Sequence, residues 1–127
     1  VITSRRTSNL VKKILVENLK KISTIWTGLG KNPYKQAIQN SSFFIVTSDS
    51  TSMISESSVS GKPIYVFHLP FKRQSKRISN FHYEFTKLGI TRDIKNINHL
   101  EYWEYNMLNE SERIAIIIKK RIIEEKI

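Results

Sequence analysis

The sequence predicts an α/β fold: a Rossmann-like three-layer domain built on a parallel sheet. Three observations carry that expectation. Phe43-Phe44-Ile45-Val46-Thr47 and Pro63-Ile64-Tyr65-Val66-Phe67 are short, nearly continuous apolar runs, as strands covered on both faces require. The segments between them place apolar residues three and four apart, the period of a helix with one buried face. Glycine, proline and asparagine stand where one kind of segment gives way to the next. Strands that alternate with helices in this way build parallel sheets.

In chain order, Val1-Ile2-Thr3 is β-branched and apolar and reads as a strand end. A polar loop, Ser4-Arg5-Arg6-Thr7-Ser8, follows. Leu10, Val11, Ile14, Leu15 and Leu19 then mark an amphipathic helix that Thr7 or Ser8 can cap. Residues 25–27 form a short strand ended by Gly28 and Gly30. Asn32-Pro33 starts a helix that should end near Asn40, with Asn32 as cap and Pro33 in its first position. After the strand at 43–47 comes a hydroxyl-rich turn and a short helix over 51–60, which Gly61 stops. The strand at 63–67 leads through a basic connection to a helix over 78–88, with Ile78, Phe81, Phe85 and Leu88 on one face and Gly89 at its end. Residues 90–108 carry no clear period. Asn109 and Glu112 make a capping pair for a last helix bearing Ile114, Ile117, Ile118 and Ile122, which Trp103 and Tyr105 are expected to pack onto the core.

At 127 residues the chain has room for one domain with a real core. Its opening on strand-like residues raises the expectation that an N-terminal portion of the same polypeptide is missing, and with it the N-terminal lobe of any catalytic site that needs two lobes. No apolar run approaches the ~20 residues that span a bilayer, and no signal peptide is visible. With no Cys, disulfides and thiolate metal sites are excluded and a reducing, cytoplasmic compartment is compatible. The net charge of +10, from 21 basic and 11 acidic residues, has two readings. It suits polyanionic partners, or it reflects a lysine-rich composition drift that leaves a solvated surface. The stretch Lys72, Arg73, Lys76 and Arg77 is open to the same pair of readings, the functional one being neutralisation of phosphate or peripheral contact with the inner face of an anionic membrane.

In open parallel sheets the ligand sits beyond the carboxyl ends of the strands, so the loops that leave the strands are the ones to inspect. Ser4, Arg5, Arg6 and Thr7 combine guanidinium forks, hydroxyls and a helix start, all suited to phosphate oxygens. The loop has no glycine and is neither a P-loop nor a dinucleotide fingerprint; an ordinary capped turn competes with phosphate binding. Thr47-Ser48-Asp49-Ser50-Thr51-Ser52-Met53-Ile54-Ser55-Glu56 joins a strand end, a polar turn and a helix with a carboxylate one or two turns in. Hydroxyls and free N–H groups there can hold a diphosphate, and Glu56 can accept both hydroxyls of a ribose. Capping by Asp49 or Ser50, with Glu56 complementing the helix dipole, is the equally simple structural reading. His68, His82 and His99 have no metal-ligand spacing, so no metal and no separate cofactor is expected. His82, beside Phe81, packs near aromatics or faces the crevice.

The stretch from Thr47 to Glu56 followed by Ser60-Gly61-Lys62-Pro63-Ile64-Tyr65-Val66 resembles the nucleotide-sugar segment of GT-B glycosyltransferases. More closely, the chain resembles the bacterial glycosyltransferase-like family named after a plant mitochondrial fission protein. The matching motifs are Ser4-Arg5-Arg6-Thr7, Asn32-Pro33-Tyr34, Val46 through Glu56, Phe81-His82, Gly89 through Arg92, and Trp103 through Tyr105. Asp93 and Met107 stand where that family usually has proline, which puts local turns in doubt and not the phosphate loops. The resemblance implies that residues 1–127 are a C-terminal lobe binding a nucleoside-diphosphate sugar. By it Glu56 would hold the ribose and Ser50 and Ser52 the diphosphate. Ser4, Arg5, Arg6 and Thr7 would approach the phosphates from the other side, with Asn32, Tyr34, Asp49 and Met53 completing the set.

Three function classes follow: a glycosyltransferase lobe, a binding or scaffold protein that keeps the fold without transfer, and a nucleic-acid binder. The third has only the basic charge in its favour, with no recognisable DNA- or RNA-binding motif, and no nucleic-acid partner is expected.

Overall fold

The computed structural model describes every residue except Phe71, Lys72, Gln74, Leu108, Asn109, Lys126 and Ile127, together with the side chains of all but Glu110 and Ser111 among the rest. The expected capping role of Asn109 and the place of Lys72 in the basic stretch lie outside the described residues. The chain forms two compact units, Val1–Ser41 and Ser42–Ile127.

In the first unit, residues 1–3 and 25–27 do run side by side in parallel, as their β-branched character predicts, but they meet in a single bridge between Ile2 and Trp26 and not as full strands. Trp26 N–H donates to the Val1 carbonyl at 2.9 Å, and Thr3 N–H donates to the Trp26 carbonyl at 3.1 Å. Helix α1, Asn9–Leu19, starts where Ser8 accepts a capping bond from the Val11 N–H. Helix α2, Tyr34–Asn40, has Pro33 one position earlier than expected, as its cap residue. The Asn32 side chain still serves the helix start by accepting from the Tyr34 N–H at 3.0 Å.

The second unit is a βαβαβ run. Strand β1 is Phe44–Thr47, helix α3 Thr51–Ser58, strand β2 Ile64–Phe67, helix α4 Lys76–Lys87 and strand β3 Thr91–Asp93, followed by a 3-10 turn at Ile94–Asn96 and helix α5, Glu110–Glu125. The sheet has the order β1-β2-β3 and both pairings are parallel, with Phe44 opposite Ile64 and Ile64 opposite Thr91. Only β2 is covered on both faces. In β1, at the end of the sheet, burial alternates and Ile45 is exposed, so its unbroken apolar run overstates its coverage.

The core is Ile54 from α3, Ile64, Tyr65 and Val66 from β2, Ile90 just before β3, and Trp103. Each fully buried side chain of this size stabilises the fold by about 1.5–3 kcal/mol. Two expectations need correction. On α4 the buried residue is His82, whereas Leu88, placed on the buried face by its spacing, is exposed. Trp103 and Tyr105 do not fasten the last helix. Trp103 meets Tyr65 edge-on at 5.2 Å and donates to the Gly89 carbonyl at 2.7 Å. Tyr105 donates to the carbonyls of Lys62 at 2.7 Å and Ser58 at 3.3 Å. Burial pushes its phenol up to about 12, so it remains a donor. Both therefore pin the segment at 101–107 across α3, β2 and the start of β3. On α5, Ile114, Ile117, Ile118 and Ile122 are exposed.

Asp93 and Met107, the two positions where the resemblance leads one to expect proline, make local contacts. Asp93 caps the 3-10 turn by accepting from the Lys95 N–H at 2.9 Å. Met107 packs over Gly61, whose positive φ of 72° ends the turn after α3.

Candidate functional site

Because β1 and β2 are parallel, the helices that follow them both start at the same edge of the sheet, the carboxyl edge. Residues 48–50 carry the chain from β1 into α3, and residues 68–75 carry it from β2 into α4. An open cleft of about 700 Å³ lies where these two helix starts converge. One wall is the first two turns of α3, presenting Thr51, Ser52, Ser55 and Glu56; the other is the start of α4, presenting Ser75, Arg77, Ile78 and Phe81.

The two helix starts differ. At α4 the Ser75 hydroxyl accepts from the Ile78 N–H, so this end is capped by its own side chain. At α3 the cap residue Ser50 makes no side-chain capping bond. Its N–H donates to the Thr47 carbonyl at 3.0 Å and its carbonyl accepts from the Ile54 N–H at 3.1 Å. The first-turn N–H groups of a helix have no partner within the helix and carry its positive dipole end. The exposed hydroxyl of Ser52 stands beside the α3 start. Glu56 lies one turn further on and is exposed. Phe81 and Ile78 give the opposite wall an apolar surface, with Phe81 stacked on Phe85 at 4.2 Å between ring centroids.

Behind this cleft the turn at 48–50 is firmly held. Ser48 is fully buried. Its N–H donates to the Phe67 carbonyl at 3.0 Å, its hydroxyl accepts from the Leu69 N–H at 2.9 Å, and its carbonyl accepts from His82 Nε2 at 2.7 Å. Burial, more than the nearby His68, lowers the His82 pKa, which keeps the ring neutral with the Nε2 proton on the Ser48 carbonyl.

Of the residues expected from the sequence, Ser52 and Glu56 line the cleft. Asp49, Ser50 and Met53 belong to the same turn and helix start but do not line it. Ser4, Arg5, Arg6, Thr7, Asn32 and Tyr34 belong to the other unit. There the Thr7 hydroxyl accepts from the Ser4 N–H at 3.0 Å, and the Ser4 hydroxyl accepts from the Arg6 N–H at 3.2 Å. The loop's hydroxyls thus close their own turn, as the capped-turn reading has it, while the side chains of Arg5 and Arg6 are exposed. Thr51, Ser55, Ser75, Ile78 and Phe81 line the cleft without having been expected as site residues, and Arg77 comes from the basic stretch expected to neutralise phosphate or a membrane surface. The helical period already put Ile78 and Phe81 on one face, but nothing in the sequence said that this face meets α3.

Among the described residues no group of His, Asp or Glu side chains is placed to hold a metal ion, and no helix is long and apolar enough to cross a membrane.

Residues 1–122 match the profile of the family described as mitochondrial fission ELM1. The chain belongs to that family. It is 36% identical over 122 residues to the Rickettsia prowazekii protein called uncharacterized protein RP120, covering 91% of this chain and 34% of that one. It is 32% identical over 124 residues to mitochondrial fission protein ELM1 of Arabidopsis thaliana, covering 94% of this chain and 27% of that one. The chain therefore spans about a quarter to a third of the length of these relatives. No solved structure matches it.

Proposed function

We propose that the chain is the nucleoside-diphosphate-sugar-binding lobe of a GT-B-type, glycosyltransferase-like protein. The observation that supports this reading best is the cleft at the carboxyl edge of the parallel sheet, where the start of α3 with its exposed Ser52 hydroxyl faces a wall bearing Arg77 and Phe81. In this reading the diphosphate lies at the α3 start, held by its N–H groups and by the hydroxyls of Thr51 and Ser52. Arg77 neutralises it from across the cleft, and a guanidinium suits phosphate because its N–H groups are spaced to match the oxygens. Glu56 accepts hydrogen bonds from the ribose hydroxyls. The exposed guanidinium groups of Arg5 and Arg6 are a further phosphate-type feature. Holding and neutralising a diphosphate leaving group is the contribution such a lobe makes to sugar transfer. The general base that activates the acceptor is assigned to no residue of this chain.

A second reading has a specific observation in its favour. The Arabidopsis relative carries a fission name and not an enzyme's, which fits a binding or scaffold protein that keeps the fold without transfer. The two are separated by incubating the full-length protein with uridine-, guanosine-, adenosine- and thymidine-diphosphate sugars and assaying both binding and release of free nucleoside diphosphate. Binding with release supports the transferase reading, and binding without release supports the scaffold. Absence of binding overturns both.

A further inference from the structure

We propose that His82 is a positioning residue for the cleft, acting through the Ser48 carbonyl to hold the start of α3 against α4. The inference rests on the cleft being a binding site, as proposed above, and adds a residue that neither contacts the ligand nor lines the cavity. A histidine is costly at this place. His82 is 7% exposed on a helix otherwise without buried residues. Its Nδ1 is buried with no hydrogen-bond partner. An apolar residue of similar size would fill the site without that unmet polar atom, and an unsatisfied buried acceptor is destabilising. What the histidine supplies in return is the Nε2 bond to the Ser48 carbonyl, at 2.7 Å.

That bond crosses between the two walls of the cleft. Ser48 begins the turn that opens α3, and His82 follows directly on Phe81, which lines the opposite wall. The other bonds to Ser48, from Leu69 and to Phe67, tie it to β2 and the chain just beyond. The ring is also wedged in place, edge-on to His68 at 5.1 Å and to Phe81 at 5.3 Å. Ring and carbonyl therefore fix how far the hydroxyls and N–H groups at the α3 start stand from Arg77 and Phe81. A diphosphate gripped from both sides is sensitive to that spacing.

The test compares His82→Leu, which keeps apolar bulk and removes the donor, with His82→Gln, whose side-chain N–H reaches about as far as Nε2. Uridine, guanosine, adenosine and thymidine diphosphates are titrated into the full-length protein and both variants, well below each one's melting midpoint. The expected result is a roughly tenfold weaker Kd for His82→Leu, equivalent to ~1.4 kcal/mol, with His82→Gln within about threefold of the wild type. A purely structural role would shift the melting midpoint of His82→Leu and leave the Kd of the folded protein unchanged, and that outcome overturns the positioning role while leaving the binding site intact. Equal weakening in both variants also overturns it, because the donor would then not be what matters. If the wild type binds none of the four, the site itself fails and this inference falls with it.

Discussion

The hydroxyl of Tyr65 and the backbone of Glu101 hold each other twice: the Glu101 N–H donates to the hydroxyl at 2.7 Å, and the hydroxyl donates to the Glu101 carbonyl at 3.2 Å. Tyr65 is the central strand's largest buried side chain, so this pair fastens the segment after the sheet directly to the core. Tyr65→Phe keeps the ring and removes both bonds. It is expected to destabilise the protein by about 1–3 kcal/mol, the cost of leaving backbone groups without partners. A urea unfolding curve with a lower midpoint and unchanged slope is the predicted result.

Gly61 carries a φ of +72°, and a Cβ built on it would stand 3.0 Å from the Met107 sulfur. Gly61→Ala should cost about 1–2 kcal/mol from the left-handed backbone alone, with the sulfur contact adding to it. In the Gly61→Ala, Met107→Ala double variant the contact is relieved and the backbone cost stays. Chemical unfolding of the two variants and the wild type checks both parts.

Much of this fold is legible in the sequence because its local signals agree with its tertiary structure. The apolar runs of β1 and β2, the Ser8 cap of α1, and Gly61 and Gly89 all do what their residue types favour. The exceptions have physical causes. Thr91-Arg92-Asp93 has no apolar pattern and is a strand because its backbone pairs with β2; pairing partners, more than intrinsic preference, decide strands. His82 is polar and so stands outside the apolar face that periodicity defines, yet it is buried where Leu88 is not. On the candidate site, the α3 wall was readable because its polar residues are contiguous. The α4 wall was not, because Ser75, Arg77, Ile78 and Phe81 join Glu56 only through the crossover that returns the chain to the same sheet edge.

Stability should depend on pH through His82. Its pKa is lowered by burial below the usual ~6.5. A group depressed in the folded state binds its proton more readily when unfolded, so its contribution is intact above about pH 6.5 and is lost as pH falls through the lower, folded value. Melting midpoints of the wild type should therefore drop on acidification in this window more than those of His82→Gln. Parallel curves for the two proteins would contradict the assignment.

Arg77→Gln should weaken binding of a nucleoside diphosphate by roughly tenfold while leaving the melting midpoint nearly unchanged, since the side chain is exposed and surface substitutions typically shift stability by only about 0.5 kcal/mol or less. The residual binding should also depend less steeply on salt, because one positive charge facing the phosphates is gone. Calorimetric titration at two salt concentrations measures both effects.

The central claim is that the cleft between the starts of α3 and α4 binds a nucleoside diphosphate, with Glu56 on the ribose. Amide chemical shifts recorded while a nucleoside diphosphate is titrated in test it most directly, for the wild type and for Glu56→Gln. The account predicts that the largest changes fall on Thr51, Ser52, Ser55 and Glu56 together with Arg77, Ile78 and Phe81, the residues lining the cleft. In Glu56→Gln the same amides should respond, at roughly tenfold higher ligand concentration, because one hydrogen bond to a charged group contributes about 1.5–3 kcal/mol. Changes confined to residues away from this cleft, or identical titration midpoints for the two proteins, would contradict it.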